Sequence, residues 1–143
     1  PLIVKGIQHP QDAVKAADCG ADGVVISNHG GRVLDASPVP ILTLPRVVDA
    51  VGKRIAVIVD SGFRRGADVL KAMALGANAV MLGRAPLHGV AAAGEAGALR
   101  ALQIYRDEID RVLASLGATT LDQLTPEHVD FSHLPFVRPR NPS

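Results

Sequence analysis

Four short apolar runs, at residues 2–4, 23–26, 55–59 and 79–82, punctuate this sequence, with helical patterns between them. No other feature restricts the fold so strongly. The runs are continuous rather than alternating, as in strands of a parallel sheet covered on both faces. Helical patterns occupy residues 10–19, 41–51 and 67–75, then a short Ala-rich stretch near 87–93 and a longer one over about 96–116. Gly20, Gly76 and Gly117 stand where three of these helices should stop. Strand–helix–strand connections within one sheet are right-handed, so the order spells out four successive β-α units. The phrases Cys19-Gly20-Ala21-Asp22-Gly23-Val24-Val25 and Leu75-Gly76-Ala77-Asn78-Ala79-Val80-Met81 repeat one device, a helix stop running into a buried strand. Such internal similarity suits a barrel of repeated units. The fold class is therefore α/β, half of a (β/α)8 TIM barrel: four β-α units plus a C-terminal helix and a Pro-rich tail. Half a barrel leaves two strand edges and an apolar face open, so it requires its other half, a twin copy or another cover. The Pro-rich tail over 125–143, with Arg138 and Arg140, reads as a solvated segment that wraps the surface or is disordered.

Composition narrows the function classes. With no Trp, one Tyr and three Phe, the chain lacks the aromatic platforms that stack bases. Its formal net charge is +1 and its Lys and Arg are scattered, so no nucleic-acid partner is expected. The single cysteine, Cys19, excludes an internal disulfide and fits a reducing, cytoplasmic compartment. Beside Gly20 at a helix end, it reads as a small packing residue. No apolar run approaches the roughly 18–20 residues of a membrane span, so membrane attachment would need a segment outside this sequence. The chain opens on Pro1 and enters a strand pattern at once, from which we expect the polypeptide to begin upstream.

The chemistry gathers where strands end. The four runs lead into Lys5, Ser27-Asn28-His29, Asp60-Ser61-Gly62 and Gly83-Arg84. In parallel β-α architectures the C-terminal strand ends form the active-site face. Asp60-Ser61-Gly62-Phe63-Arg64-Arg65-Gly66 follows a strand and opens a helix. Its glycines admit a ligand to the backbone, free amides at the helix start attract an anion, and Arg64 adds a two-pronged donor suited to phosphate. Gly83-Arg84 repeats the arrangement one unit later, where such barrels build a phosphate site. In Ser27-Asn28-His29-Gly30-Gly31-Arg32, an imidazole of near-neutral pKa lies three residues from a guanidinium. A base beside a carboxylate clamp is what deprotonating a 2-hydroxy acid requires.

Together with Val4-Lys5-Gly6, Leu34-Asp35 and Leu82-Gly83-Arg84, these blocks resemble the FMN-dependent 2-hydroxy-acid dehydrogenase/oxidase family. That family includes glycolate oxidase, lactate oxidase, L-lactate dehydrogenase, flavocytochrome b2 and mandelate dehydrogenase. The match runs in order from residue 1 to about 116, and the His-Gly-Gly-Arg block is highly specific to the family. The resemblance implies the C-terminal half of the barrel, with residues 1–124 as half of an FMN-binding domain and 125–143 as the tail. It implies FMN as cofactor and a small L-2-hydroxy acid as substrate, oxidised to the 2-oxo acid. Lys5 would sit by the flavin N1–C2 carbonyl edge and Ser27 would contact the flavin. His29 would be the catalytic base and Arg32 the carboxylate clamp. Asp60, Gly62 and Arg64, with Ser61 and Phe63 in the same loop, would hold the ribityl chain and phosphate, joined by Gly83 and Arg84. A homotetramer is implied as well.

Val33 departs from the Gln that family members commonly carry before Leu-Asp. The substrate-contacting tyrosines, the carboxylate that orients the base and further flavin contacts belong to the first half of the barrel, so this chain should not turn over alone. Two alternatives remain at this point. One is another FMN or phosphate barrel, such as type 2 isopentenyl diphosphate isomerase or IMP dehydrogenase, against which the His-Gly-Gly-Arg pair argues. The other is a non-catalytic half-barrel scaffold.

Overall fold

The computed structural model describes residues 1–132. Four parallel strands, β1 (Ile3–Ile7), β2 (Gly23–Ile26), β3 (Ala56–Val59) and β4 (Ala79–Val80), pair in the order β1-β2-β3-β4. Helices α1 (Pro10–Asp18), α2 (Pro40–Val51) and α3 (Gly66–Ala74) make the crossovers, and α4 (Arg84–Leu116) follows the last strand. Sequential order in the sheet, with a helix in each crossover, is the arrangement that four consecutive units of a (β/α)8 barrel require.

Local chemistry explains the boundaries. His9 caps α1, its Nδ1 accepting from Gln11 N at 3.2 Å, and Pro10 fits the first helical turn. Beyond α1, Gly20 at φ +87° turns the chain, and β2 begins three residues later. All four β2 residues are buried, as expected of a central strand covered on both faces. Val24, Ile26, Leu44, Val47, Val57 and Val59 form the centre of the main core. The outer strands are less covered: Leu2 before β1, Ile3 at its start and Met81 after β4 are exposed. The open edges expected of a half-barrel are therefore present.

Several boundaries move. The first strand does not stop at residue 4. It continues through Lys5 to Ile7, with a register irregularity between Lys5 and Ile7 where Gly6 takes φ +97°. The fourth strand is shorter than its apolar run: only Ala79 and Val80 stand in register with β3, and Met81 adds a last amide bond to Val59 O at 3.0 Å. The two helices read over 87–93 and 96–116 are both present as the two limbs of α4, separated by non-helical backbone at Ala93 and Gly94, and the first limb begins earlier, at Arg84. The limbs on either side fold so closely that a Cβ on Gly89 or Gly97 would collide with the other's backbone. Cys19 is exposed at the end of α1 and does not pack.

The described part of the tail lies on the body of the protein, with Val129 and Phe131 against the main core. Arg138 and Arg140 lie outside the described residues. Among the described residues, no helix is long and apolar enough to cross a membrane.

Candidate active site

An open cleft of roughly 630 Å³ lies at the C-terminal ends of the strands. Its charged lining is Lys5, Arg32, Asp60, Arg64 and Arg84, with His29 and His88 at its walls. Four cations against one carboxylate make it an anion-attracting surface.

Lys5, on β1, reaches across the sheet. Its Nζ donates to Asp60 Oδ2 at 2.6 Å and to Ser27 Oγ at 2.7 Å. An ammonium has three donors, so one remains for a ligand. Asp60 feels opposing influences. Burial raises its pKa, but hydrogen bonds from Lys5, Ser27 and Ser61, aided by the lysine charge, hold it below the ordinary 3.8. Asp60 is thus ionised at neutral pH. By contrast, Arg32, Arg64 and Arg84 have no carboxylate partner among the described residues. Three guanidinium groups left without counter-ions around one cleft are suited to phosphate and carboxylate.

Residues 29–31 form a tight 3-10 turn after β2. His29, Gly30 and Gly31 all take left-handed backbone, at φ 56°, 68° and 76°. Gly30 is favoured by its φ, which is costly for other residues; a Cβ there would also come to 3.3 Å from the Arg84 guanidinium, a contact that side chain could relieve by moving slightly. Each amide of the turn is held by a side-chain oxygen. His29 N donates to Ser27 Oγ at 3.0 Å, Gly30 N to Ser61 Oγ at 3.0 Å and Gly31 N to Asn28 Oδ1 at 3.2 Å. The turn leaves the His29 and Arg32 side chains exposed at the cleft, while Ser27 is buried beneath. Ser27 instead borders a second, smaller depression on the far side of His29, which Val33 and Leu34 also line.

The start of α3 differs from the free anion site expected of it. The Arg64 and Arg65 amides both donate to Asp68 Oδ2 at 3.0 Å, and the Gly66 amide donates to Glu108 Oε2 at 2.7 Å. Those donors are satisfied within the chain. Helix α4 supplies what α3 does not. Its N-cap is Gly83, no side chain caps it, no acidic residue stands in its first turn and Pro86 has no N–H, so the Arg84 and Ala85 amides are left without a capping side chain beside the cleft that both residues line. Gly62 and Gly83 add bare backbone, since a Cβ at either would meet nothing within 4 Å.

Other contributors lay beyond the reach of local motifs. Tyr105, on α4, donates its hydroxyl to Phe63 O at 2.9 Å. Burial and the charges of Asp68 and Glu108 raise its pKa, which keeps that proton in place. Glu108 binds both the Gly66 amide and the Arg65 guanidinium. The second limb of α4 thereby fixes the 63–66 loop from behind. His88 stands one helical turn after Arg84, a spacing that places both on one face of α4. Among the described residues no His, Cys, Asp and Glu cluster could hold a metal ion.

Comparison with known proteins agrees with this geometry. The family model for FMN-dependent dehydrogenases matches residues 1–131. The chain is 50% identical over 127 residues to an L-lactate oxidase of Roseobacter sp. (strain GAI101), covering 89% of this chain and 34% of the relative. It is 47% identical over 129 residues to a peroxisomal (S)-2-hydroxyacid oxidase of Arabidopsis thaliana, covering 90% of this chain and 36% of that one. A solved structure of an active mutant of (S)-mandelate dehydrogenase superposes with a TM-score of 0.85 at 48% identity, over 88% of this chain and 35% of that one. The chain thus spans about a third of the length of these relatives. It belongs to the FMN-dependent dehydrogenase family.

Proposed function

We propose that this chain supplies the phosphate, base and carboxylate-clamp face of an FMN-dependent enzyme that oxidises a small L-2-hydroxy acid to its 2-oxo acid. The observation that carries the reading is the group of three guanidinium side chains, Arg32, Arg64 and Arg84, without carboxylate partners among the described residues, around a cleft with His29 at its wall. The donor set fits FMN. Bare backbone at Gly62 and Gly83, the uncapped start of α4 and the free forks of Arg64 and Arg84 suit a phosphate. Asp60 and Gly62 suit a polyol chain, and the unused donor of Lys5 suits a carbonyl-rich ring edge that gains negative charge. Bound FMN would supply the two-electron acceptor; of the two hydrogens lost in forming the 2-oxo acid, one goes to His29 as a proton and the other leaves with the electrons or to solvent.

The chain's own residues do the remainder. Arg32 grips the substrate carboxylate with two parallel hydrogen bonds and so fixes which carbon faces the cofactor. His29 takes a proton from the substrate as general base. The Lys5 ammonium offsets charge that accumulates beside it. Asp60 keeps Lys5 in place and Ser27 supports it from below. The active body would include the barrel units that this chain lacks, and the assembly would be a homo-oligomer, a tetramer by the resemblance.

The test is His29→Gln in the complete FMN-bound protein. Flavin content should stay at the wild-type level, while anaerobic reduction by the accepted acid should slow by at least about a hundredfold, the loss expected of a missing general base. Wild-type reduction rates in this variant would refute the role of His29.

A further inference from the structure

Two residues other than glycine have positive φ among the described residues, His29 at 56° and Ser61 at 74°. One hydrogen bond joins their loops: Gly30 N donates to Ser61 Oγ at 3.0 Å. The same hydroxyl donates to Asp60 Oδ1 at 2.8 Å. Asp60 accepts from Lys5 through its other oxygen, and Lys5 also donates to Ser27 Oγ, which accepts the His29 amide. The two peptide groups that flank the His29 side chain are therefore tethered to one ion pair. The leading amide is held through Ser27 and the following one through Ser61.

We infer that Ser61 is a positioning residue: it acts through Gly30 to hold the His29 turn against the Lys5–Asp60 pair rather than by binding cofactor. Resting on the function proposed above, the inference adds a role for a side chain otherwise counted among cofactor contacts. Backbone conformation supports it. Serine at φ 74° is strained where glycine would not be, so the hydroxyl offsets a conformational cost. Its single proton goes to Asp60 and one of its two lone pairs takes the Gly30 amide, so the hydroxyl has no donor left to offer a ligand. The Arg32 side of the turn is held separately, by Asn28 on the Gly31 amide.

Ser61→Ala and Ser61→Gly separate this role from a merely structural one. Both remove the hydroxyl, but only glycine relieves the strained backbone. In the complete FMN-bound protein, both should speed hydrogen–deuterium exchange at the Gly30 amide by about fivefold, the factor expected for one lost hydrogen bond. Both should lower kcat for whichever of L-lactate, glycolate and L-mandelate the wild type oxidises by about tenfold, as a displaced base would. KM and the FMN dissociation constant should stay within about twofold. The melting temperature of Ser61→Gly should equal or exceed that of Ser61→Ala. Unchanged Gly30 exchange in both variants would overturn the inference. So would activity that tracks stability, with Ser61→Gly restored to wild-type kcat. A tenfold loss of FMN affinity would return Ser61 to the cofactor contacts and overturn it too. If the wild type oxidises none of the acids, the proposed function fails, yet the exchange measurement still decides whether Ser61 holds the turn.

Discussion

Replacing Gly66 with Ala should drive α3 away from α4 and weaken the cofactor site without touching it. A Cβ at residue 66 would lie 2.6 Å from Glu108 Cβ, 2.7 Å from Ile109 N and 2.9 Å from Tyr105 O. Two of the three atoms are backbone, so no rotamer change relieves the clash and the helices must separate. Overpacking of this kind costs about 1–3 kcal/mol. Separation also lengthens the bond from Gly66 N to the Glu108 carboxylate, now 2.7 Å, and a hydrogen bond to a charged group contributes about 1.5–3 kcal/mol. The total should be about 3 kcal/mol. At about 3 °C per kcal/mol, the melting temperature should fall by about 9 °C. The 63–66 loop moves with α3, which should weaken FMN binding by about tenfold, roughly 1.4 kcal/mol. Differential scanning calorimetry and a fluorescence titration with FMN measure the two effects. A melting temperature within about 2 °C of the wild type would refute the argument that this contact is closed to a methyl group.

Other residues give independent checks. Gly62→Ala adds a methyl group into open space at φ +91°, so it should cost only about 1–2 kcal/mol in stability but obstruct the cleft, and FMN affinity should fall further than stability does. Arg32→Lys keeps the charge and loses the fork: KM for the acid should rise about tenfold with FMN retained, and an unchanged KM would exclude the clamp. Asp60 is held below its ordinary pKa, so its contribution to stability is complete above pH 3.8 and vanishes as the pH falls through its lowered folded value. The destabilisation caused by Asp60→Asn should therefore be largest at neutral pH and shrink on acidification, giving a flatter acid limb in urea denaturation between pH 5 and 2; parallel wild-type and mutant curves would contradict the assigned shift.

The sequence was most legible where the chemistry is local. His29 and Arg32 share one turn, and Asp60 through Arg64 share one loop, so their proximity needed no tertiary information. The β-α order followed from apolar runs too continuous to be amphipathic. What escaped was long-range or depended on satisfied donors. Tyr105 and Glu108 act 42 residues away from Phe63 and Gly66, and no periodicity announces that. The occupied amides of α3 had a readable sign: Asp68 stands three residues after Arg65, the spacing at which an acidic side chain reaches back to the helix start. The short β4 could not be read from Met81-Leu82, because its register ends where β3 ends, at Val59, a limit set by the neighbouring strand. Cys19 is exposed because it lies past the last turn of α1, a position that composition cannot resolve.

The central claim is that this cleft serves FMN and a 2-hydroxy acid, and the visible absorption spectrum of the purified complete protein tests it most directly. The spectrum would be recorded before and after anaerobic addition of L-lactate, glycolate or L-mandelate. A flavin spectrum that bleaches with one of these acids, and recovers when an electron acceptor is admitted, is the predicted result. A protein that stays colourless even after incubation with FMN, or a bound flavin that none of the three acids reduces, would contradict the account.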